Sequence, residues 1–392
     1  MTATTTVRSS PRPAPWRDVR VLRFVAQLTA LIVTYLVVRF LWSNFVANTD
    51  EKNIDRDFGF LEQPANFNIQ GSSFDRSNSV REAIGVGIKN TFASVIVGAP
   101  LALVLGTLIG IARLSKNWLL AKISAVFVEL VRNTPPLIVI FVVNFALVLR
   151  LPVVADAWTP GGVFVVSNFR LAGPSIATHA NAGLFNIVLV LAGLVALAVA
   201  VFRTRFSDRT GEPHRRVLWA GGTFLAISAV AYVALGGPHS VSLPRIDGRK
   251  VSGGFGTLAP YVALTGALTV YTASHIAEIV RGSILAVPGG QSEAAEAVAL
   301  NGFQRYRYVV LPQAFRIAIP PVINQFLNYT KNTSLALAVA YAEITFIMVT
   351  VIGNGQPATQ NIVVLMGTYL LFSLSISVLL NIVNRRLQLV GR

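Results

Sequence analysis

Pro288-Gly289-Gly290-Gln291-Ser292-Glu293-Ala294-Ala295-Glu296-Ala297-Val298-Ala299-Leu300-Asn301-Gly302, followed at a short distance by Leu311-Pro312, is the stretch on which the reading of this chain turns. Pro-Gly-Gly stops the helix before it, because proline offers no backbone donor and glycine is a poor helix former. Ser292 is suited to N-cap a new helix, and Glu293 in its first turn complements the helix dipole. The alanine-rich helix that follows is short and smooth, and apolar runs flank it near 258–280 and from about 315. On physics alone it is either an ordinary interfacial helix or a knob on which a soluble partner docks.

The flanking runs are typical of the whole chain. Of 392 residues, 53% are hydrophobic and only 13% charged, about half the soluble norm of roughly a quarter. With a mean hydropathy of +0.61, too few polar residues remain to cover a soluble surface. The chain belongs in a bilayer. Its 33 Lys+Arg against 17 Asp+Glu would suggest nucleic acid in a soluble protein, but basic residues also hold cytoplasmic loops in place, and no nucleic-acid partner is expected. Zero cysteines exclude disulfides and thiolate chemistry. The first apolar run is too long for a signal peptide and lacks a small-residue cleavage site, so it reads as an uncleaved span.

A spanning helix needs about 20 mostly apolar residues. Candidates lie near 24–46, 91–112, 125–149, 185–202, 217–236, 258–280, within 315–353, and at 362–384. Basic residues cluster before the first span (Arg8, Arg12, Arg17, Arg20, Arg23), between spans two and three (Arg113, Lys116, Lys122), in the 203–216 loop (Arg203, Arg205, Arg209, Arg215, Arg216), and after the last span (Arg385, Arg386, Arg392). All fall on one side if eight spans start from a cytoplasmic N-terminus, which puts both termini and the 293–302 helix inside. Arg245, Arg249 and Lys250 fall on the other side, in a longer loop where the rule is weak. Two spans depart from simple crossings. Pro135-Pro136 should kink the third after a cytoplasm-side interfacial segment. Pro320-Pro321, Asn324, Asn328 and Thr330-Lys331-Asn332-Thr333-Ser334 interrupt the seventh, and irregular backbone at membrane depth survives only where protein or water shelters it.

The cytoplasmic stretch resembles the EAA loop of ABC importer permeases. Glu293-Ala294-Ala295, Val309 and Leu311-Pro312 are in register, with Gly290 and Gln291 leading in, while Ala299 stands where that motif has glycine. Further segments sit in the same order: Gly87-Ile88-Lys89-Asn90-Thr91, Glu129-Leu130-Val131-Arg132-Asn133-Thr134-Pro135, Glu278-Ile279-Val280-Arg281-Gly282, Leu311-Pro312-Gln313-Ala314 and Asn328-Tyr329-Thr330-Lys331-Asn332-Thr333-Ser334-Leu335. Together they resemble permeases of polar and general L-amino-acid ABC importers, the histidine and glutamine group. Pro260-Tyr261 departs where relatives often carry Pro-Glu.

The resemblance implies an all-α polytopic membrane protein of about eight transmembrane helices with a type I permease core. Residues 1–80 would be a tail, first span and extracytoplasmic loop, and 81–392 the permease domain with a two-span insertion at about 150–256. It implies alternating access in a bacterial inner membrane. Implied partners are an ABC ATPase dimer docked through Gly290, Gln291, Glu293, Ala294, Ala295, Ala299, Leu311 and Pro312, a second permease, identical or related, and an extracytoplasmic amino-acid-binding protein. No G-x-x-x-x-G-K-[ST] exists, so ATP and Mg belong to the ATPase, and no cofactor or enzyme activity is expected of this chain.

Charged groups at membrane depth cost roughly 2.5–3.5 kcal/mol each and usually face protein or water. Glu129 and Arg132, and Glu278 and Arg281, are spaced for ion pairs along one helix face, as structural pairs or as part of an inner gate or substrate contact. Asn324, Asn328, Lys331, Asn332, Thr333 and Ser334 either line the substrate path or stabilise the break. A zwitterionic amino acid needs partners of both signs, and a broken helix adds unpaired backbone groups. His179, His214, His239 and His275 have no metal-ligand spacing, and His275 is read as a packing residue. Gly106 and Gly110 allow close helix packing. The rivals are a secondary transporter driven by an ion gradient, which has no reason to present the Glu-Ala-Ala helix, and an ABC permease for another small solute.

Overall fold

The long apolar segments fold as helices because every backbone polar group in a bilayer must be satisfied within the chain. The structure, a computed structural model, describes residues 16, 18–51, 56–211 and 215–387, with side chains as far as 382. Arg8, Arg12, Arg17, His214 and Arg392 lie outside the described residues, as do the side chains of Arg385 and Arg386.

Helix α1 (Val19–Glu51) lays its apolar side chains outward, with no part of its most apolar window buried. Its end is tied by Arg56, whose guanidinium donates to Thr49 Oγ1 (2.6 Å) and the Val46 carbonyl (2.7 Å). The loop to α2 is ordered by its own turns. Asp75 accepts from the Ser77 backbone N–H (3.0 Å) and hydroxyl (2.9 Å), and these donors hold its carboxyl below the ordinary carboxylate range. Ser79 then caps α2 (Val80–Ala112), which starts eleven residues before the apolar run does.

Asn117 caps α3 (Trp118–Arg132), and Pro135-Pro136 ends it. The chain resumes as α4 (Pro136–Phe141) and a π-helical turn (Val142–Val148) at 110° to α3. This is the expected kink, with its expected cause.

The segment from 150 to 258 adds what hydropathy scanning could not find. Besides the hairpin of α5 (Ala182–Thr210) and α6 (Arg216–Ala234), it carries seven short strands. The β1 (Val165–Val166), β2 (Arg170–Gly173) and β7 (Phe255–Leu258) strands form one antiparallel sheet. Two ribbons complete the set: β3 (Ser175–Thr178) with β4 (His239–Ser242), and β5 (Arg245–Asp247) with β6 (Lys250–Ser252). Strands of two to four residues leave no mark in a twenty-residue window, so an all-α expectation passes over them; the helical membrane architecture itself holds.

From β7 the chain enters α7 (Ala259–Leu285), the most buried long helix, with fifteen buried residues. It runs parallel to α2. Ser94 Oγ meets Thr265 Oγ1 (3.0 Å), Thr269 donates to the Gly98 carbonyl (3.3 Å), and Gly106 and Gly110 lie against Ala273 and Ala277. A Cβ on Gly106 would stand 2.7 Å from the Ala273 carbonyl oxygen, so the glycines are what lets the two helices approach.

After α8 (Gly289–Ala297), α9 (Gly302–Arg305) and a π-helical turn (Tyr306–Val310), α10 (Leu311–Asn332) crosses back against α7. It runs unbroken through Pro320-Pro321. The break falls later, in a 3-10 stretch (Thr333–Val339) and a turn, before α11 (Ile344–Gly353) leaves at 47°. Thus Asn324 and Asn328 lie on regular helix, while Thr333 and Ser334 open the break. Helix α12 (Ala358–Leu387) closes the bundle. Five described helices are long and apolar enough to span, and the two bent pairs make seven. Counting α7, whose Thr, Ser and His side chains dilute its hydropathy, makes eight.

Candidate functional site

Two regions carry chemistry: the α8 end of the bundle and a polar layer between α2, α7 and the broken seventh span. Helix α8 starts at Gly289 behind Pro288, so Ser292 lies inside the helix and is not its cap. Pro288 supplies the fixed φ and no side-chain cap, which makes the helix start four residues earlier than a serine cap predicts. Its C-terminus is a Schellman motif: Leu300 N–H donates to the Ala295 carbonyl (3.1 Å) and Ala299 N–H to Glu296 (2.9 Å). Ala299 takes φ +58°, the left-handed conformation that glycine adopts without strain. The bend therefore forms with alanine in place, at a cost of about 1–2 kcal/mol.

Ala295 is buried, whereas Gly290, Gln291, Glu293 and Ala294 are exposed. The helix is fixed at its back: Gln313 Nε2 donates to Gln291 Oε1 (3.1 Å) and to the Val309 carbonyl (3.0 Å), and Glu296 pairs with Arg305. Asn301 and Gln304 form a reciprocal capping box for α9. Leu311 is half-buried and Pro312 exposed at the start of α10. Glu293 makes no ion pair among the described residues and points its carboxylate outward.

Behind α8 stands an ionic hub. Glu278 accepts from Arg281 on its own helix (2.6 and 3.2 Å) and pairs with Arg113 at the end of α2; Arg132 of α3 lies 3.7 Å away. The Glu278–Arg281 pair is present as the spacing predicts. The expected Glu129–Arg132 pair is not, because Arg132 turns to Glu278 and Glu129 is exposed. Three guanidinium groups on one carboxylate bind α2, α3 and α7 together where α7 gives way to α8.

Midway along the bundle, the fully buried Tyr329 directs its hydroxyl at the Ser94 and Thr265 carbonyls (3.2 and 3.4 Å), beside Ser94 Oγ (3.3 Å). At the break, Glu343 is 0% exposed and was not signalled by any motif. Its Oε1 accepts from Phe346 N–H (3.0 Å), capping α11, and its Oε2 accepts from Tyr369 Oη (2.8 Å). A lone carboxylate in the apolar run 335–353 was the one available signal. Thr333 donates to the Thr330 carbonyl (2.6 Å) and touches Tyr369, and Ser334 donates to Lys331 (2.8 Å), so both serve the break. Asn324, Asn328 and Lys331 are exposed and share one face of α10 by their spacing of four and three, with Asn332 half-buried beside them. His275 Nδ1 is bound to the Tyr271 carbonyl (3.1 Å), a packing role. Among the described residues no group of three His, Cys, Asp or Glu side chains can hold a metal.

Residues 102–389 match the family described as "Binding-protein-dependent transport system inner membrane component". YhdX of Escherichia coli (strain K12), named as a candidate amino-acid ABC transporter permease, is 35% identical over 93% of this chain and 94% of its own. AapQ of Rhizobium johnstonii, named a general L-amino acid transport system permease, is 34% identical over 92% of each chain. BztB of Rhodobacter capsulatus, named a glutamate/glutamine/aspartate/asparagine transport system permease, is 32% identical over 96% of each. A family match over residues 102–389, together with relatives that align over 92–96% of the chain, makes this protein a member of the binding-protein-dependent transport system inner membrane component family.

Proposed function

We propose that the chain is the permease subunit of an ATP-driven importer of polar or general L-amino acids. The observation that carries this is α8: a short, capped helix whose outward face, Glu293 included, has no partner among the described residues. A soluble ATPase dimer is the partner that such a knob fits, and ATP with Mg binds there. A secondary transporter needs no such knob. Eight crossings put both termini on the α8 side, which the arginine-rich loops mark as cytoplasmic, in a bacterial inner membrane. The 59–79 loop and the strands of the insertion then face outward, toward an amino-acid-binding protein.

The exposed Asn324–Asn328–Lys331 face of α10 is unfit for hydrocarbon, and a second permease, in our reading a related chain, would cover it across a water-filled path. The Glu278 hub would report movement of α8 into α2, α3 and α7. Reversing the charge of Glu293 with Glu293→Lys tests the docking role. Co-purification of the ATPase should fall together with ATP-dependent uptake, while the level of the permease in the membrane stays unchanged. Intact association and uptake would remove α8 from the interface. Lys331→Ala should alter uptake rate or substrate preference; no change in either would take Lys331 out of the path.

A further inference from the structure

At the end of the bundle opposite α8 lies a cleft of about 530 Å³, within the roughly 300–1,000 Å³ of small-ligand sites. Its floor is Asn90 and Ala93 of α2, Tyr261 of α7, and Tyr341-Ala342 in the turn of the broken span. Its roof is the β2–β7 edge of the sheet, and among the described residues the single charged side chain lining it is Arg170. Among the described residues Arg170 forms no ion pair, and its Nε is buried without a hydrogen-bond partner. A guanidinium is always charged, and leaving one of its N–H donors buried and unpaired is costly. The strand across from it makes room for this: a Cβ on Gly256 would lie 2.3 Å from Arg170 Nε. The sheet is thus shaped around a cation that has no counter-ion among the described residues.

The polar groups of the floor are fixed. Tyr341 and Tyr261 donate to the Asn90 and Ala93 carbonyls (3.0 and 3.3 Å), with their rings 5.5 Å apart. Asn90 Nδ2 donates to the Ala342 carbonyl (2.7 Å), which leaves Oδ1 available as an acceptor toward a ligand. Aromatic faces and an amide oxygen suit an ammonium group, and a guanidinium suits a carboxylate. Beneath the cleft the Ser94–Thr265–Tyr329 layer closes the way down.

We propose that this cleft is an outer capture site for a free α-amino acid, in which Arg170 takes the carboxylate and the Asn90–Tyr261–Tyr341 floor takes the ammonium. The proposal rests on the amino-acid importer reading and gives the insertion a role in it. The cleft receives the substrate before the broken span opens, so the turn at 341–342 is touched by substrate and by the hinge alike.

The test uses the complete permease–ATPase complex in detergent without binding protein, probed by equilibrium binding of radiolabelled L-glutamine, L-glutamate and L-alanine. ATP-dependent uptake of the same three compounds is measured separately in cells. Arg170→Gln should weaken binding on the order of tenfold to a hundredfold, the loss expected of a charge-assisted pair, and Arg170→Lys should recover part of it. Gly256→Ala, which displaces the guanidinium without removing it, should weaken binding as well. Wild-type binding should be lost when the carboxylate is amidated or removed, and Arg170→Gln should no longer make that distinction. Uptake by wild type with binding unaffected by Arg170→Gln and Gly256→Ala would overturn the capture site and leave the importer reading intact. Absence of wild-type uptake of all three compounds would instead strike the importer reading.

Discussion

Gly98 is the position where the packing of the central layer can be tested most sharply. A Cβ added there would stand 1.8 Å from Tyr329 Oη, 2.4 Å from Cζ and 3.0 Å from Cε2. Ordinary contact begins near 3.4 Å, so the ring must back away by roughly 1.5 Å. It has nowhere to go: Tyr329 is 0% exposed and packs in one cluster with Ala99, Leu264 and Leu268. Moving it also takes its hydroxyl away from the Ser94 and Thr265 carbonyls. Overpacking a core costs about 1–3 kcal/mol, and orphaning a buried hydroxyl another ~1–3 kcal/mol. Gly98→Ala should therefore cost about 2–6 kcal/mol, read as a clear fall in the thermal midpoint of the detergent-solubilised complex and a loss of uptake. Gly85→Ala on the same helix meets nothing within 4 Å and is the control, expected to be neutral or to gain about 0.5–1 kcal/mol from helix propensity. Because Tyr329→Ala removes the clashing atoms, the double variant should lose less than the sum of the two single losses. A Gly98→Ala protein with wild-type midpoint and uptake would refute the close fit of α2 against Tyr329.

Three further outcomes follow from the same contacts. Ala299→Gly should relieve the left-handed strain at the end of α8 and stabilise that element by about 1 kcal/mol, seen as slower proteolysis of the 289–302 segment; Ala299→Val should do the reverse. Glu278→Gln leaves Arg113, Arg132 and Arg281 without their shared carboxylate, and at a half-buried site this should cost about 1–3 kcal/mol, measured as a lower thermal midpoint that added salt partly restores. Glu343→Ala removes both the cap of α11 and the acceptor of Tyr369, at about 2–4 kcal/mol together. Glu343→Gln keeps one carbonyl oxygen, enough for the Phe346 N–H cap but not for Tyr369 as well, and should lose less, with hydrogen exchange in 344–347 separating the two variants.

How much of this was legible in the sequence depends on the length scale of the signal. Pro135-Pro136 announced its kink because proline acts locally, whereas Pro320-Pro321 announced one that did not form. There α10 stays helical, and the bend falls where the Thr333 and Ser334 hydroxyls turn back on the chain and Glu343 caps the next helix. The start of α8 went to Pro288 and away from Ser292 for the same reason, a backbone preference set before a side chain could cap. Spacing pairs Glu278 with Arg281, as the structure does, but spacing along one helix cannot see Arg113 and Arg132 arriving from two others. The strands between 165 and 258 and the cleft beneath them join residues 90, 170, 256, 261 and 341. No window along the chain brings those positions together.

The central claim is that this chain passes amino acids inward at the expense of ATP spent by a partner. The most direct measurement is uptake of a labelled amino-acid panel in cells with and without the chain, with ATP depleted and the proton gradient collapsed separately. The account predicts chain-dependent uptake that disappears on ATP depletion and survives collapse of the gradient while ATP is held. Uptake that survives ATP depletion and disappears with the gradient would contradict it.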